Sequence, residues 1–347
     1  MNNNKMSSNL KHIPHNRPTI GHVEEMMALK VLKSGWLAQG CEVEKFENEF
    51  CDYLMIPRGS AVAVSSGSAA LFLALLALKA KGKNVSLPTY SCSALRNAIC
   101  LAGGNPVFVD SMLESPNIDL ARIDHSTRIA IVPHMFGMPQ NILNNKSAIS
   151  VIEDCAQALG ALNNKIPIGL QGDVGIFSFY ATKLMTTGGQ GGMVVSRKSP
   201  IIDYVRDYRL FDGRKDEKNR FNFQMTDIQA AIGRAQLIKL PMFLDRRSEI
   251  YNQYKEAGFQ LLDSEVGLQP VRFRSIIRTE KQVELIKALS LENISATIPV
   301  QTDELLSSNI QFPNALYWTE NTVSLPIYPS LTDEEVKRII KVVKTVL

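Results

Sequence analysis

In the stretch GIFSFYATKLMTTGGQGGMVVS, residues 175–196, an apolar run contains Ser178 and leads to Lys183, with no acidic side chain near it in sequence. A lysine in apolar surroundings either reaches its ammonium out to water or is held for chemistry, because unpaired burial lowers its pKa and leaves a nucleophilic amine. The glycines that follow do not make a nucleoside-triphosphate loop, since they come after the lysine and Leu184 stands where that loop needs Ser or Thr. Two other apolar runs end on polar residues. In AVAVSSGSAALFLALLAL, residues 61–78, a hydroxyl-rich turn joins a strand to a helix. The unpaired amides of a helix start favour phosphate, and Gly67 lets backbone approach closely; Ser66 or Ser68 would equally well cap the helix. In ISVIEDCAQALGA, Asp154 follows a strand and Gln157 lies three residues on. That carboxylate suits either a ligand cation or the cap of the next segment.

Taken together, a phosphate-ready helix start, a strand-end aspartate, a serine and an isolated lysine match the needs of pyridoxal phosphate. That cofactor requires a lysine for a Schiff base, a carboxylate on its pyridinium nitrogen and donors for its phosphate.

These residues need a scaffold that gathers strand ends. From residue 61 to 196 short apolar runs (AVAV, NVSLP, PVFVD, RIAIVP, ISVIED, VGIFSF, MVVS) alternate with helix-length segments. The alternation predicts an α/β fold with a mostly parallel sheet flanked by helices and a ligand site at the carboxyl ends of its strands. Beyond it TDIQAAIGRAQLIKL predicts a helix, Pro241 a break, and a second helix follows to about Ala257. FQLL, VRFRSIIR, EKQVELIKALS, ISATIPV and DEEVKRIIKVVKTV then read as strand, strand, helix, strand and terminal helix. The expected organisation is a flexible tail over 1–15, a large domain over 16–240 and a small α+β domain over 241–347.

Composition narrows the functional classes. The chain of 347 residues is 45% hydrophobic and 21% charged, which is ordinary for a globular protein. Its net charge of +4 is spread out and not interleaved with aromatics, so no nucleic-acid surface is expected. Five cysteines form no CxxC pair and no metal-ligand spacing. No apolar run approaches membrane-spanning length and the first residues lack a leader-like apolar core, so a cytoplasmic protein is expected.

The stretches RPTIGHVEEMMALKVLKSGWLAQGCEVEKFENEF, SSGSAALFLAL, VIEDCAQALGA, GDVGIFSFYATKLMTTGGQGGMVV, RFNFQMTDIQAAIGRAQL and LPIYPSLTDEEV, in this order, resemble the DegT/DnrJ/EryC1/StrS family of sugar aminotransferases. The resemblance implies a fold-type I pyridoxal phosphate enzyme with pyridoxamine phosphate as the amino carrier. It implies that Lys183 forms the Schiff base and moves protons, that Asp154 faces the pyridine nitrogen, and that Gln157 lies beside the ring hydroxyl. It also gives the phosphate to Gly67, Ser68 and Ser178, and lends Asn222 to the phosphate of a partner subunit, hence a homodimer with shared sites. Cys92 falls where many relatives carry an aromatic residue stacked on the ring, with Tyr90 as a neighbouring alternative cover. Gln190 and Leu184 replace a common glutamate and asparagine, and the segment before LPIYP lacks the usual histidine. Trp36 resembles a substrate-side residue, and Arg209, Arg214 or Arg220 are of a type suited to diphosphate.

The expected reaction is transfer of an amino group, with glutamate as donor, to a nucleotide-linked keto sugar, a 4-keto-6-deoxy sugar by resemblance, for surface polysaccharide or another glycoconjugate. Two alternatives are a dehydratase of the same fold, whose members replace the lysine with histidine, and a cofactor-binding regulatory protein without catalysis.

Overall fold

The computed structural model describes residues 11–142, 149–307 and 311–347. Helices α1 (His22–Ser34) and α2 (Cys41–Tyr53) precede an alternating run: β1 (Ala61–Val64), α3 (Gly67–Ala77), β2 (Asn84–Pro88), α4 (Ala94–Leu101), β3 (Asn105–Val109), β4 (Thr127–Pro133) and β5 (Ser150–Asp154). A short ribbon of β6 (Leu162–Asn163) and β7 (Ile166–Pro167) leads to β8 (Val174–Ser178), β9 (Gly192–Val195), α5 (Ser199–Arg209) and α6 (Asp227–Glu256). The remainder is β10 (Leu268–Gln269), β11 (Ser275–Arg278), α7 (Gln282–Leu291), α8 (Pro313–Glu320), β12 (Thr322–Leu325) and α9 (Asp333–Val343).

All seven apolar runs expected between residues 61 and 196 enter one sheet of order β1-β9-β8-β5-β4-β2-β3. Only β9 runs antiparallel to its neighbours. Strands β1, β5 and β8 therefore point the same way, and their carboxyl ends bring residues 66–68, 154 and 178–183 to one edge. The sheet is covered on both faces, which is why its strands are uniformly apolar. Phe46, Phe50, Phe177, Phe179 and Met193 pack on one side with α2 and α6. Leu71, Leu73, Leu75, Ile131, Ile152 and Val194 pack on the other with α3 and α4. A separate core of Tyr251, Tyr254, Ile277, Leu285, Val323 and Ile339 joins the end of α6 to the pair β11–β12 and to α7 and α9.

Three expectations change. Pro241 does not end a helix: α6 is continuous through it, so the division expected at residue 240 falls inside this helix. An interior proline costs about 3 kcal/mol, but the helix buries Leu237, Leu240, Phe243, Ile250, Tyr251 and Tyr254 on either side of it, and this packing outweighs the lost backbone bond. Second, ISATIPV forms no strand: Thr297 makes a single bridge to Ser324, and β11 pairs with β12. Third, of the tail expected over 1–15, residues 1–10 lie outside the described residues, whereas Ile13 is fully buried and bridges Ile294.

Candidate active site

Helix α3 starts at the end of β1. Ser66 is its cap, accepting the Ala69 amide at 3.1 Å, which leaves the amides of Gly67 and Ser68 without an acceptor in the helix. A Cβ on Gly67 would lie 2.7 Å from Cβ and 2.9 Å from Oγ of Ser178. Only glycine lets the helix start and the last residue of β8 meet, so the amides and the hydroxyl sit side by side.

Asp154 ends β5. Its Oδ1 accepts the Ala156 amide at 3.0 Å. Burial raises its carboxyl pKa, opposed by that amide and by the charge of Lys183. Lys183 lies in the turn after β8, fixed by its own amide on the Tyr180 carbonyl at 2.9 Å and by Asn16, whose Nδ2 donates to the Thr182 carbonyl at 2.9 Å. Burial lowers the pKa of its amine, opposed by Asp154. Its Nζ stands 5.3 Å from the centre of the Phe273 ring, and among the described residues it makes no hydrogen bond or ion pair.

Gly67, Ser68, Cys92, Asp154, Gln157, Ser178 and Lys183 all line one cavity of about 240 Å3, with Ser91, His134, Tyr180 and Gln190. Gln157 accepts the Phe136 amide on Oε1 at 2.8 Å. A second cavity of about 480 Å3 shares Ser91, Cys92, Gln157 and Lys183 with the first and is closed by Arg274 and by residues of the 299–306 stretch. The segment before LPIYP thus borders the site.

Other candidates lie elsewhere. Asn222 is exposed and caps its own turn, accepting the Gln224 amide at 3.0 Å, and is not among the residues that line the cavity. Tyr90 does not cover the cavity: it is fully buried edge-on to Phe136, among Met135 and Trp318. Arg209 is buried on Glu47 and the Ala63 carbonyl, while Arg214 and Arg220 are tied to Asp207 and Asp216, so none is a free diphosphate ligand. Leu184 belongs to the core. Trp36 is exposed and lines a separate hollow with Lys30 and Asp227.

The sequence reading passed over His134 and Arg274. His134 directly follows β4, a strand-end position of the kind that singled out Asp154. Arg274 had a weaker signal, the alternation of charge and apolar residues in VRFRSIIR. His134, Glu153 and Cys155 have ligating atoms within 4.8 Å of one another, a spacing that suits a metal. Hydrogen bonds already occupy the lone pairs of the first two: His134 Nδ1 accepts the Gln140 amide, its Nε2 donates to Glu153, and Glu153 accepts the amides of Gly169, Gln171 and Gly172.

The residues present fit pyridoxal phosphate. A desolvated, unpaired amine, a buried carboxylate with an uncommitted oxygen, and a helix start that a single Cβ would fill share one cavity.

The model of the DegT/DnrJ/EryC1/StrS aminotransferase family matches residues 18–344. GDP-perosamine synthase of Escherichia coli O157:H7 is 32% identical, over 94% of this chain and 96% of that protein. The spore coat polysaccharide biosynthesis protein SpsC of Bacillus subtilis is 31% identical, over 96% and 97%. The PMP form of Spr1654 from Streptococcus pneumoniae superposes with a TM-score of 0.88 at 25% identity, over 97% and 98%. With a strand-end lysine, aspartate and serine around one cavity and a family match over nearly its whole length, the chain belongs to the DegT/DnrJ/EryC1/StrS aminotransferase family.

Proposed function

We propose that the protein is a pyridoxal phosphate-dependent aminotransferase that makes an amino sugar from a nucleotide-linked keto sugar, a 4-keto-6-deoxy sugar in the leading case, with glutamate as donor. The observation that carries this is Lys183, an amine with lowered pKa and no carboxylate partner among the described residues, in one cavity with Asp154 and the start of α3. The bound cofactor supplies an electron sink and a carrier for the amino group. Asp154 would hold a proton on the ring nitrogen, a role that a desolvated carboxylate fulfils by pairing with a buried cation. The amides of Gly67 and Ser68 and the hydroxyl of Ser178 receive the phosphate, with the helix start adding favourable charge. Gln157 would lie beside the ring hydroxyl, and Cys92, a small thiol, would not stack on the ring. Lys183, whose amine burial makes easier to deprotonate, would move the proton between the two carbons.

Asn222, exposed on its own chain, serves the phosphate of a second copy, which makes the working unit a homodimer. The similarity to GDP-perosamine synthase supports a nucleotide-linked substrate, and that to SpsC a place in polysaccharide synthesis. No helix among the described residues is long and apolar enough to cross a membrane, and we place the reaction in the cytoplasm.

The test is a visible spectrum of the purified protein before and after glutamate, then borohydride reduction with peptide mapping, then keto nucleotide sugars. Conversion of the yellow band, label on Lys183 and formation of an amino sugar are expected. A protein that takes up no cofactor, or that converts it but aminates no keto nucleotide sugar, refutes the proposal.

A further inference from the structure

The amino-terminal strap IPHNRP, residues 13–18, runs between the separate core around β11 and β12 and the turn that carries Lys183. Its two prolines fix their own φ and hold the residues before them extended, which leaves the strap little conformational freedom. Contacts along its length seat it on that core. The Ile13 amide donates to the Asn293 carbonyl at 3.0 Å, the Ser295 amide donates to the Ile13 carbonyl at 2.9 Å, and the Ile13 side chain is buried among the core residues. The Arg17 guanidinium stands 5.4 Å from the centre of the Tyr328 ring. His15 completes the seat. A guanidinium only donates, so His15 Nε2 accepts from Arg274 at 3.4 Å, and from the Ser324 hydroxyl of β12 at 2.9 Å. Burial, with the charges of Arg274 and Arg247, pushes this imidazole down to about 3, so it stays neutral and the seat does not change near neutral pH.

Asn16 is the residue of the strap that turns the other way. Its Nδ2 donates at 2.9 Å to the carbonyl of Thr182, the residue before the lysine. Within the lysine turn the Ala181 amide donates to the Gly189 carbonyl at 3.1 Å and the Lys183 amide to the Tyr180 carbonyl at 2.9 Å. The peptide that joins 182 to 183 is therefore held at its N–H end by the turn itself and at its carbonyl end, among the described residues, by Asn16 alone. Rotation of that peptide changes φ of Lys183 and re-aims its Cα–Cβ bond, and the displacement grows along the side chain to the amine. A misplacement of about 1 Å in a reacting group can cost about 100-fold in rate. The strap has its own seat without this bond, so the bond serves the turn. We propose that Asn16 is a positioning residue for Lys183: it ties the lysine turn to the core around β11 and β12, so that the amine stays inside the cavity it shares with Asp154. The consequence for turnover rests on the aminotransferase reading above; the positioning itself does not.

The test compares the wild type with Asn16→Ala and with Asn16→Leu, which keeps nearly the volume of asparagine and loses its donor. In the cofactor-free full-length protein, competitive labelling with acetic anhydride over a series of pH values, followed by peptide mapping, gives a titration profile for each lysine. In the loaded protein, stopped-flow absorbance gives the rate constant and the half-saturation of the glutamate half-reaction. With the Thr182 carbonyl released, the Lys183 amine samples water and its profile is expected to move up in pH toward the ordinary 10.5 in both variants, while Lys239, paired with Glu24 at 2.7 Å, keeps its own. The half-reaction is expected to slow about 10-fold in rate constant with half-saturation within about twofold, because the amine moves protons and does not grip the donor. The melting temperature should fall by no more than about 3 °C, the scale of one exchanged hydrogen bond. A Lys183 profile unmoved in both variants overturns the proposal, as does a shift in Asn16→Ala that Asn16→Leu does not share, which would trace to lost volume. An equal shift at Lys239, reporting general loosening, or a half-reaction changed in half-saturation alone, also overturns it. If one variant does not fold the other decides, and failure of both would make Asn16 structural and end the proposal. Failure of the aminotransferase reading would look different: the wild type would convert no cofactor with any amino acid, while the Lys183 profile would still shift in the variants.

Discussion

At the end of β5 two consecutive carboxylates face opposite sides of the sheet and meet opposite surroundings. Glu153 is fully buried and saturated: Oε1 accepts the amides of Gln171 and Gly172, both at 2.7 Å, and Oε2 accepts that of Gly169 at 2.8 Å and the His134 ring N–H at 3.1 Å. Asp154 is nearly as buried, yet accepts one amide and opens onto the cavity with Lys183. A buried charge with every lone pair satisfied stabilises the fold around it. A buried charge left incomplete costs stability and persists where a ligand completes it. Saturation, more than burial or charge, separates Glu153 from Asp154, the carboxylate we propose for the cofactor.

The comparison can be broken by substitution. The largest effect is expected at Lys183, whose replacement by alanine should slow the glutamate half-reaction by at least about 1000-fold while leaving the melting temperature of the cofactor-free protein unchanged or higher. A clear loss of thermal stability would make this lysine structural. Next, Asp154→Asn should slow the half-reaction about 100- to 1000-fold and leave cofactor-free stability equal or improved, because the amide removes a desolvated charge. Stopped-flow absorbance and calorimetry read the two quantities separately. The mirror outcome belongs to Glu153: Glu153→Gln strands the Gly169 amide and should cost about 3 kcal/mol in denaturant unfolding, with any folded fraction keeping its half-reaction rate. Equal behaviour of the two variants would remove the distinction drawn here.

The smallest effect is a pH dependence. Because burial lowers the Lys183 pKa in the folded chain, the unfolded chain binds more protons between that lowered value and the ordinary 10.5. Stability of the cofactor-free protein relative to Lys183→Met should therefore rise with pH through that window and level off above it. Denaturation midpoints measured at several pH values check this, and a difference that falls with rising pH would mean that the amine is paired in the folded state.

Much of this site was legible before the fold. The apolar runs and the turn SSGS are local patterns, and local patterns set where strands end and a helix begins. The division of labour within the turn was not: Ser66 takes the cap, and the meeting of Gly67 with Ser178 joins residues 111 positions apart. Period-2 alternation left Tyr90 open as a cover for the cavity, and it points into a separate core. Pro241 reads as a helix end by its own chemistry, yet the helix continues because its buried face is set by distant partners.

By itself the amino-acid sequence determined the α/β class, the sheet's seven strands and membership of an aminotransferase family, and it singled out the lysine and aspartate of the candidate site, since each is written in short-range order of residue types. The tertiary structure alone decided which buried charges find an ion pair. Arg209 and Arg274 are the same residue type in the sequence, and what separates them is that the first finds Glu47 across the fold while the second finds neutral His15 and an open cavity. Electrostatic compensation is a property of distance in space, and chain order does not fix it.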